Sequence, residues 1–199
     1  MAIRSLIADD KTAAGVGPDR VPTSAARILR YQLNVVASTT EEVVRSAGGW
    51  LCDRAMAGWD VNILVAEGGD VRPLTILGAT ALDLDTGFVP MVRSASRIGA
   101  LAVSADVLAA DPHVRDEVLR VLKQELTEIT VWGRQWPPEL GRQAESVQHR
   151  VSSAARAFKS HALAAAVGSA DAVTATESLF QIGTGSFRPA VLRLKVRVT

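Results

Sequence analysis

Three stretches of the chain carry residue types that could do chemistry. ALDLDTGF (81–88) places Asp83 and Asp85 in two motif-like settings. Asp85-Thr86-Gly87 matches the aspartic-protease triplet, in which two such aspartates share one proton, one per subunit in a small dimer. That triplet follows two apolar residues and precedes a small one, whereas here Asp83-Leu84 precede it and bulky Phe88 follows. Asp83-Leu84-Asp85 also resembles the opening of a phosphatase loop, but Gly87 stands where that loop needs threonine or valine. Aspartate and glycine at the end of an apolar run are what a turn uses, so the stretch reads as a strand entering a turn.

GGWLCDRAMAGWD (48–60) gathers Trp50, Trp59, Asp53, Asp60 and Cys52, the one cysteine of the chain. A reactive thiolate wants a helix N-terminus or a neighbouring cation, together with exposure. Cys52 falls well inside an expected helix with Arg54 on a different face, and free cysteine is among the most buried residue types. The cluster therefore reads as packing. His113, His149 and His161 show no metal-ligand spacing, and no P-loop or GxGxxG occurs. Gly183-Thr184-Gly185-Ser186 could cradle a phosphate with backbone amides, but a proline and a strand follow it where a helix N-terminus would be needed. No metal and no cofactor is expected.

The elements that must position any site come from periodicity. Residues 1–22 read as an irregular lead-in and 23–199 as one α/β domain. Thr23 or Ser24 can cap a helix over about 25–37. Thr39-Thr40-Glu41-Glu42 is a capping box for a helix running to Ala57 and stopping at Gly58. Val61 to Ala66 is a short strand apolar on both faces, and Leu74 to Leu82 reads as its antiparallel partner across Gly68-Gly69-Asp70. Ile98 to Val103 is a third strand. Asp111-Pro112 starts a helix, with a capping aspartate and proline at the first helical position, and Glu128 to Trp132 returns as a strand to complete a β-α-β unit. After Pro137-Pro138 a long amphipathic helix is expected over 139–167, its seam Leu140, Ala144, Val147, Val151, Ala154, Phe158 and Ala162. A shorter helix over 171–181 and a terminal strand over 188–199 close the chain. The fold class is thus α/β or α+β, with a mixed sheet of four to five strands, flanking helices and a long C-terminal helix.

The 199 residues are 48% hydrophobic and 22% charged, with a formal net charge of +1. That is enough to bury a core without disulfides or metal, and too little net charge to demand a polyanion partner. No signal peptide and no membrane span is apparent, which makes the cytoplasm the expected location.

Three functional readings follow. The first is a binding or regulatory protein of a bacterial cytoplasm, taking an unknown protein partner or its own copy; it rests on the lack of a recognisable catalytic motif. The second is nucleic-acid binding through Arg142 and Arg156 on the long helix and Arg193, Lys195 and Arg197 on one face of the terminal strand, cations able to neutralise phosphates. The third is a small-molecule enzyme. In open α/β sheets ligands collect beyond the strand carboxyl ends, which makes Glu67, Ser104, Asp106 and Arg134 the candidate rim.

Overall fold

A computed structural model of the chain describes residues 30–82, 99–124, 127–134, 136–140, 144–168 and 173–182. In chain order the elements are β1 (Gln32–Ala37), α1 (Thr40–Met56), β2 (Asp60–Val65), α2 (Arg72–Ile76), β3 (Thr80–Leu82), β4 (Gly99–Ser104), α3 (Ala105–Ala110), α4 (Pro112–Lys123), β5 (Glu128–Trp132), β6 (Glu145–Arg150), α5 (Ser153–Val167) and β7 (Thr176–Ile182), with a 3-10 turn over Pro138–Leu140. They build an α/β architecture around a seven-stranded mixed sheet of order β3-β2-β1-β4-β5-β7-β6. The first five strands in that order are parallel neighbours, and β7 runs antiparallel to both β5 and β6.

Strands covered on both faces read as continuous apolar runs, and β1 shows it: Leu33 to Ala37 are all buried. Alternate residues serve two separate cores. Leu33, Val35, Ile63, Ala102 and Trp132 face α1, α2 and α5. Val36, Leu64, Leu101, Val103 and Ile129 face α3 and α4 through Val107, Leu108, Val114 and Val118. Each fully buried side chain of this kind contributes about 1.5–3 kcal/mol.

Several expectations are met. Thr39 caps α1 by accepting from the Glu42 amide at 3.0 Å, and the helix ends before Gly58, whose φ of +88° suits glycine. Asp111 Oδ1 caps α4, accepting from the amides of His113 at 2.8 Å and Val114 at 3.3 Å.

Others are corrected. The sheet has seven strands rather than four or five. The segment expected as a helix over 25–37 contains β1, because an apolar run this short satisfies helix and buried-strand spacing equally. The run from Leu74 does not form an antiparallel hairpin; Pro73 opens the short α2, Gly78 turns with φ +80°, and β3 pairs parallel to β2. The long helix over 139–167 is three pieces: the 3-10 turn, edge strand β6, and α5, which begins when the Ser152 hydroxyl accepts from the Ala155 amide. Ala154 and Phe158 of the expected seam are exposed, and α5 instead buries Ala155, Lys159, Ala162 and Leu163. The helix over 171–181 is replaced by β7. Residues 1–22 and the terminal strand over 188–199 lie outside the described residues. Among the described residues no helix is long and apolar enough to cross a membrane.

One polar contact joins α1, α5 and β7. The side chains of Lys159 and Glu177 are 3% and 2% exposed and pair at 2.6 Å. Glu177 also accepts from the amides of Gly49 at 2.8 Å and Trp50 at 2.7 Å, and Lys159 donates to the Arg45 carbonyl at 2.6 Å. The Gly49 amide and the Arg45 carbonyl stand four residues apart along α1, and the ion pair engages both. Glycine is required at 49, since a Cβ there would lie 2.5 Å from Val151 Cγ1 and 3.0 Å from the Glu177 carboxylate. Nearby, the Asp53 carboxylate accepts from His149 at 2.8 Å and the Ser152 amide at 3.1 Å, pinning the turn from β6 into α5 to α1. Burial opposes the charged form of Asp53, but the hydrogen bonds from Ser152 and His149 outweigh it and hold its pKa below the ordinary value.

Removing one partner of a buried pair leaves the other charge uncompensated, so Lys159→Met is expected to destabilise the protein by about 3–5 kcal/mol in urea unfolding. Gly49→Ala is expected to cost about 1–3 kcal/mol in the same measurement, through overpacking against Val151.

Candidate functional site

The parallel part of the sheet reverses its winding at β1. From there the chain runs outward through β2 and β3, then returns to place β4 on the other side of β1. Such a switch point opens a crevice beyond the strand carboxyl ends, and a cleft of about 520 Å³ lies there. The first turns of α1 contribute Thr39, Glu41, Glu42 and Arg45, and the segments following β4 and β5 contribute Asp106 and Arg134. The start of β7 closes the far wall with Thr176, Glu177 and Ser178. Gly133 draws the tips of β4 and β5 together. With φ +145° it packs so tightly on Ala105 that a Cβ would lie 2.6 Å from the Ala105 Cβ. Asp106 and Arg134 each directly follow one of these touching residues.

Glu42 lines the cleft as a carboxyl whose titration is shifted by its surroundings. Its Oε1 accepts from the Trp132 indole at 2.5 Å and its Oε2 from the Ser38 hydroxyl at 3.4 Å. Burial pushes its pKa above the ordinary carboxyl value. The hydrogen bonds from Trp132, Ser104 and Ser38 pull the other way without cancelling it, and the charge of Asp106 adds to the rise. The expected capping box is therefore half used: Thr39 caps the helix, while the Glu42 carboxylate serves a tryptophan from β5. A half-buried carboxyl raised in this way holds its proton to higher pH than a free one and is suited to proton transfer.

Of the rim residues expected from the sequence, Asp106 and Arg134 line the cleft. Ser104 is buried beneath it, accepting from the Asp106 amide at 3.3 Å and hydrogen-bonded to Glu42. Glu67 is exposed after β2 and is not among the lining residues; its amide donates to the Ser38 carbonyl at 2.9 Å. Cys52 is buried, and burial, with the charges of Asp53 and Glu177, pushes its thiol up to about 11. Asp83, Asp85 and the glycine loop at 183–186 lie outside the described residues. So do Arg142, Arg193, Lys195 and Arg197. The single long helix expected to carry Arg142 and Arg156 does not form, because strand β6 precedes Arg156, which lies on the separate helix α5.

Glu41, Glu42, Arg45 and Glu177 are the lining residues that the sequence reading missed as a site. The signal was the apolar run of β1 leading straight into the capping box, which places two acids at a strand's carboxyl end. Among the described residues no group of three or more His, Cys, Asp or Glu is placed to hold a metal ion. The donor set agrees: no histidine lines the cleft, and Glu41, Glu42 and Glu177 are each engaged by protein groups.

No protein-family model and no curated protein matches the chain. Its fold is similar to that of solved enzymes. A deacetylase of the teicoplanin biosynthesis pathway, in complex with teicoplanin, aligns at TM-score 0.52 with 10% identity, over 78% of this chain and 99% of that one. The A40926 pseudoaglycone deacetylase aligns at TM-score 0.51 with 12% identity, over 79% and 99%. The 4-carboxy-2-hydroxymuconate hydratase from Pseudomonas putida KT2440 aligns at TM-score 0.50 with 14% identity, over 78% and 98%. These likenesses correct the expectation of a non-catalytic binding or regulatory protein, and with it the nucleic-acid reading: the fold is one that enzymes carry.

A raised carboxyl pKa means that the folded protein holds the Glu42 proton more tightly than the unfolded chain. The stability this contributes is complete below the unfolded value of 4.5 and is lost as pH rises through the folded value. Glu42→Gln removes that loss, so the variant is expected to melt above the parent protein near neutral pH. The difference should shrink as pH falls through the folded value toward 4.5 and stay constant below it, which thermal melts across pH will read.

Proposed function

We propose that this protein is an enzyme that adds water to, or hydrolyses, a small polar molecule in the cleft at the β1–β4 switch point, with Glu42 as the general acid–base group. The observation that carries the reading is the position of Glu42. It is half-buried, raised in pKa and fixed by the Trp132 indole at the wall of the cleft. A proton-transferring side chain must lie within hydrogen-bond reach of its target, with a pKa near the working pH. Supporting it, the segments that line the cleft supply carboxylates, guanidiniums and hydroxyls, a surface suited to a hydrophilic substrate. The words deacetylase and hydratase, borne by proteins of this fold, both name chemistry in which a proton must move to or from water or a leaving group. The single free cysteine, buried in the core, supports a cytoplasmic setting for this activity.

In this scheme the indole N–H holds Oε1, while Oε2, which accepts the longer 3.4 Å hydrogen bond from Ser38, exchanges its proton with water or substrate. Burial and, after it, the Asp106 charge favour the form of Glu42 that holds its proton. A substrate cation that neutralises Asp106 would lower the pKa of Glu42 and release that proton as the substrate binds.

The test is incorporation of heavy oxygen. The protein is incubated with a bacterial polar-metabolite extract in ¹⁸O-water, and new labelled species are sought by mass spectrometry. Protein-dependent ¹⁸O-labelled products are expected, falling by about 10²–10⁴-fold with Glu42→Gln. No labelled product, or an undiminished yield from the variant, overturns the proposal.

A further inference from the structure

The charged groups of the cleft differ in whether the protein already uses them. Glu41 pairs with Arg45 at 2.9 Å. Glu42 is held by Trp132, and Glu177 by Lys159 and two helix amides. The hydroxyls are largely engaged as well: Thr39 caps α1, Thr174 donates to the Thr176 carbonyl at 2.9 Å, and Ser178 accepts from Gln148 at 2.8 Å. The Asp106 carboxylate and the Arg134 guanidinium, by contrast, form no hydrogen bond or ion pair among the described residues. Both residues are exposed. They follow the paired ends of β4 and β5, just beyond the point where Gly133 packs on Ala105, yet they do not pair with each other.

From this we infer that the cleft takes a zwitterionic ligand, a compact molecule of the amino-acid type whose ammonium faces Asp106 and whose carboxylate faces Arg134. An anion and a cation that line one cleft, with no hydrogen-bond or ion-pair partner among the described residues, complement a ligand carrying both charges. A guanidinium presents a planar fork of donors matched to a carboxylate, and an ammonium gives a carboxylate charge-assisted hydrogen bonds. A ligand with one charge satisfies one group and leaves the other with water. The inference rests on the reading of this cleft as the substrate site and names the substrate class for it.

The test is an NMR titration of the ¹⁵N-labelled protein with glycine, β-alanine and γ-aminobutyrate as zwitterions of increasing length. Ethylamine, propionate and glycerol serve as cationic, anionic and neutral probes. At least one zwitterion is expected to shift the amides of Thr39, Asp106 and Gly133 and to bind about tenfold tighter or more than ethylamine or propionate. Asp106→Asn should abolish the advantage over propionate, and Arg134→Gln the advantage over ethylamine. Both side chains are exposed, so neither substitution should alter the fold, which the unperturbed remainder of the spectrum will verify. Propionate or ethylamine binding as tightly as every zwitterion overturns the inference. So does a zwitterion advantage that survives both substitutions. In either of those two cases, shifts of the cleft amides leave the cleft standing as a binding site while its zwitterion preference falls. Silence at those amides with all six probes overturns the inference and removes the support for the cleft as the substrate site.

Discussion

Lys159 and Glu177 meet at the point where the two halves of the chain are fastened together. Taking both charges out of water is expensive, and their mutual attraction alone does not assure a net gain. What offsets the cost is the backbone of α1, which supplies two amides to the carboxylate and a carbonyl to the ammonium. The contact is also directional. A hydrophobic substitute could fill the same volume, but it would not fix where α5 crosses α1 or which residue of β7 lies against Gly49. Because a side chain at 49 would collide with Val151, the approach of the last strand to the first helix depends on that one missing methyl group.

From that anchor the cleft inherits its far wall. Glu177 faces the core, and its neighbours Thr176 and Ser178 are carried to the rim by the alternation of a β-strand. The near wall comes from α1, whose capping threonine and third-position glutamate follow directly on β1. A cap usually spends its acid on the helix's own amides. Here β5 brings Trp132 close enough to take that acid, and burial raises the carboxyl above its ordinary titration range while the indole hydrogen bond offsets only part of the rise. Helix start, strand pairing and acidity are thus one arrangement seen at three scales.

The sequence made α1 legible from end to end, because cap and stop residues act locally: Thr39 at one end, Gly58 at the other. The same holds for α4 behind Asp111-Pro112, for β4 with its apolar run and for β5 with its β-branched one. Where the reading failed, the deciding partner lay far along the chain. Leu33 to Ala37 fits a helix as well as a strand until β2 and β4 are known to flank it. Glu145 to Arg150 alternates only weakly and became a strand because β7 offered an edge, while Val151 and Ala162 kept enough helical spacing to suggest one unbroken helix. Asp106 and Arg134 were reachable from strand-end logic alone. Glu42 was hidden because its role as a cap explained it too well, and Glu177 because no local pattern announces a buried carboxylate.

The position of β7 has a consequence for how the chain comes into being. It lies between β5 and β6 although it is the last of the described strands to be synthesised. Until it arrives, β5 is an open edge with unpaired backbone groups, the kind of surface that invites a neighbouring molecule to add a strand. Closing the sheet therefore also closes a window of vulnerability for the nascent chain. The step that protects β5 also brings Thr176, Glu177 and Ser178 to the cleft, so a molecule still exposed to aggregation is also one without a finished site.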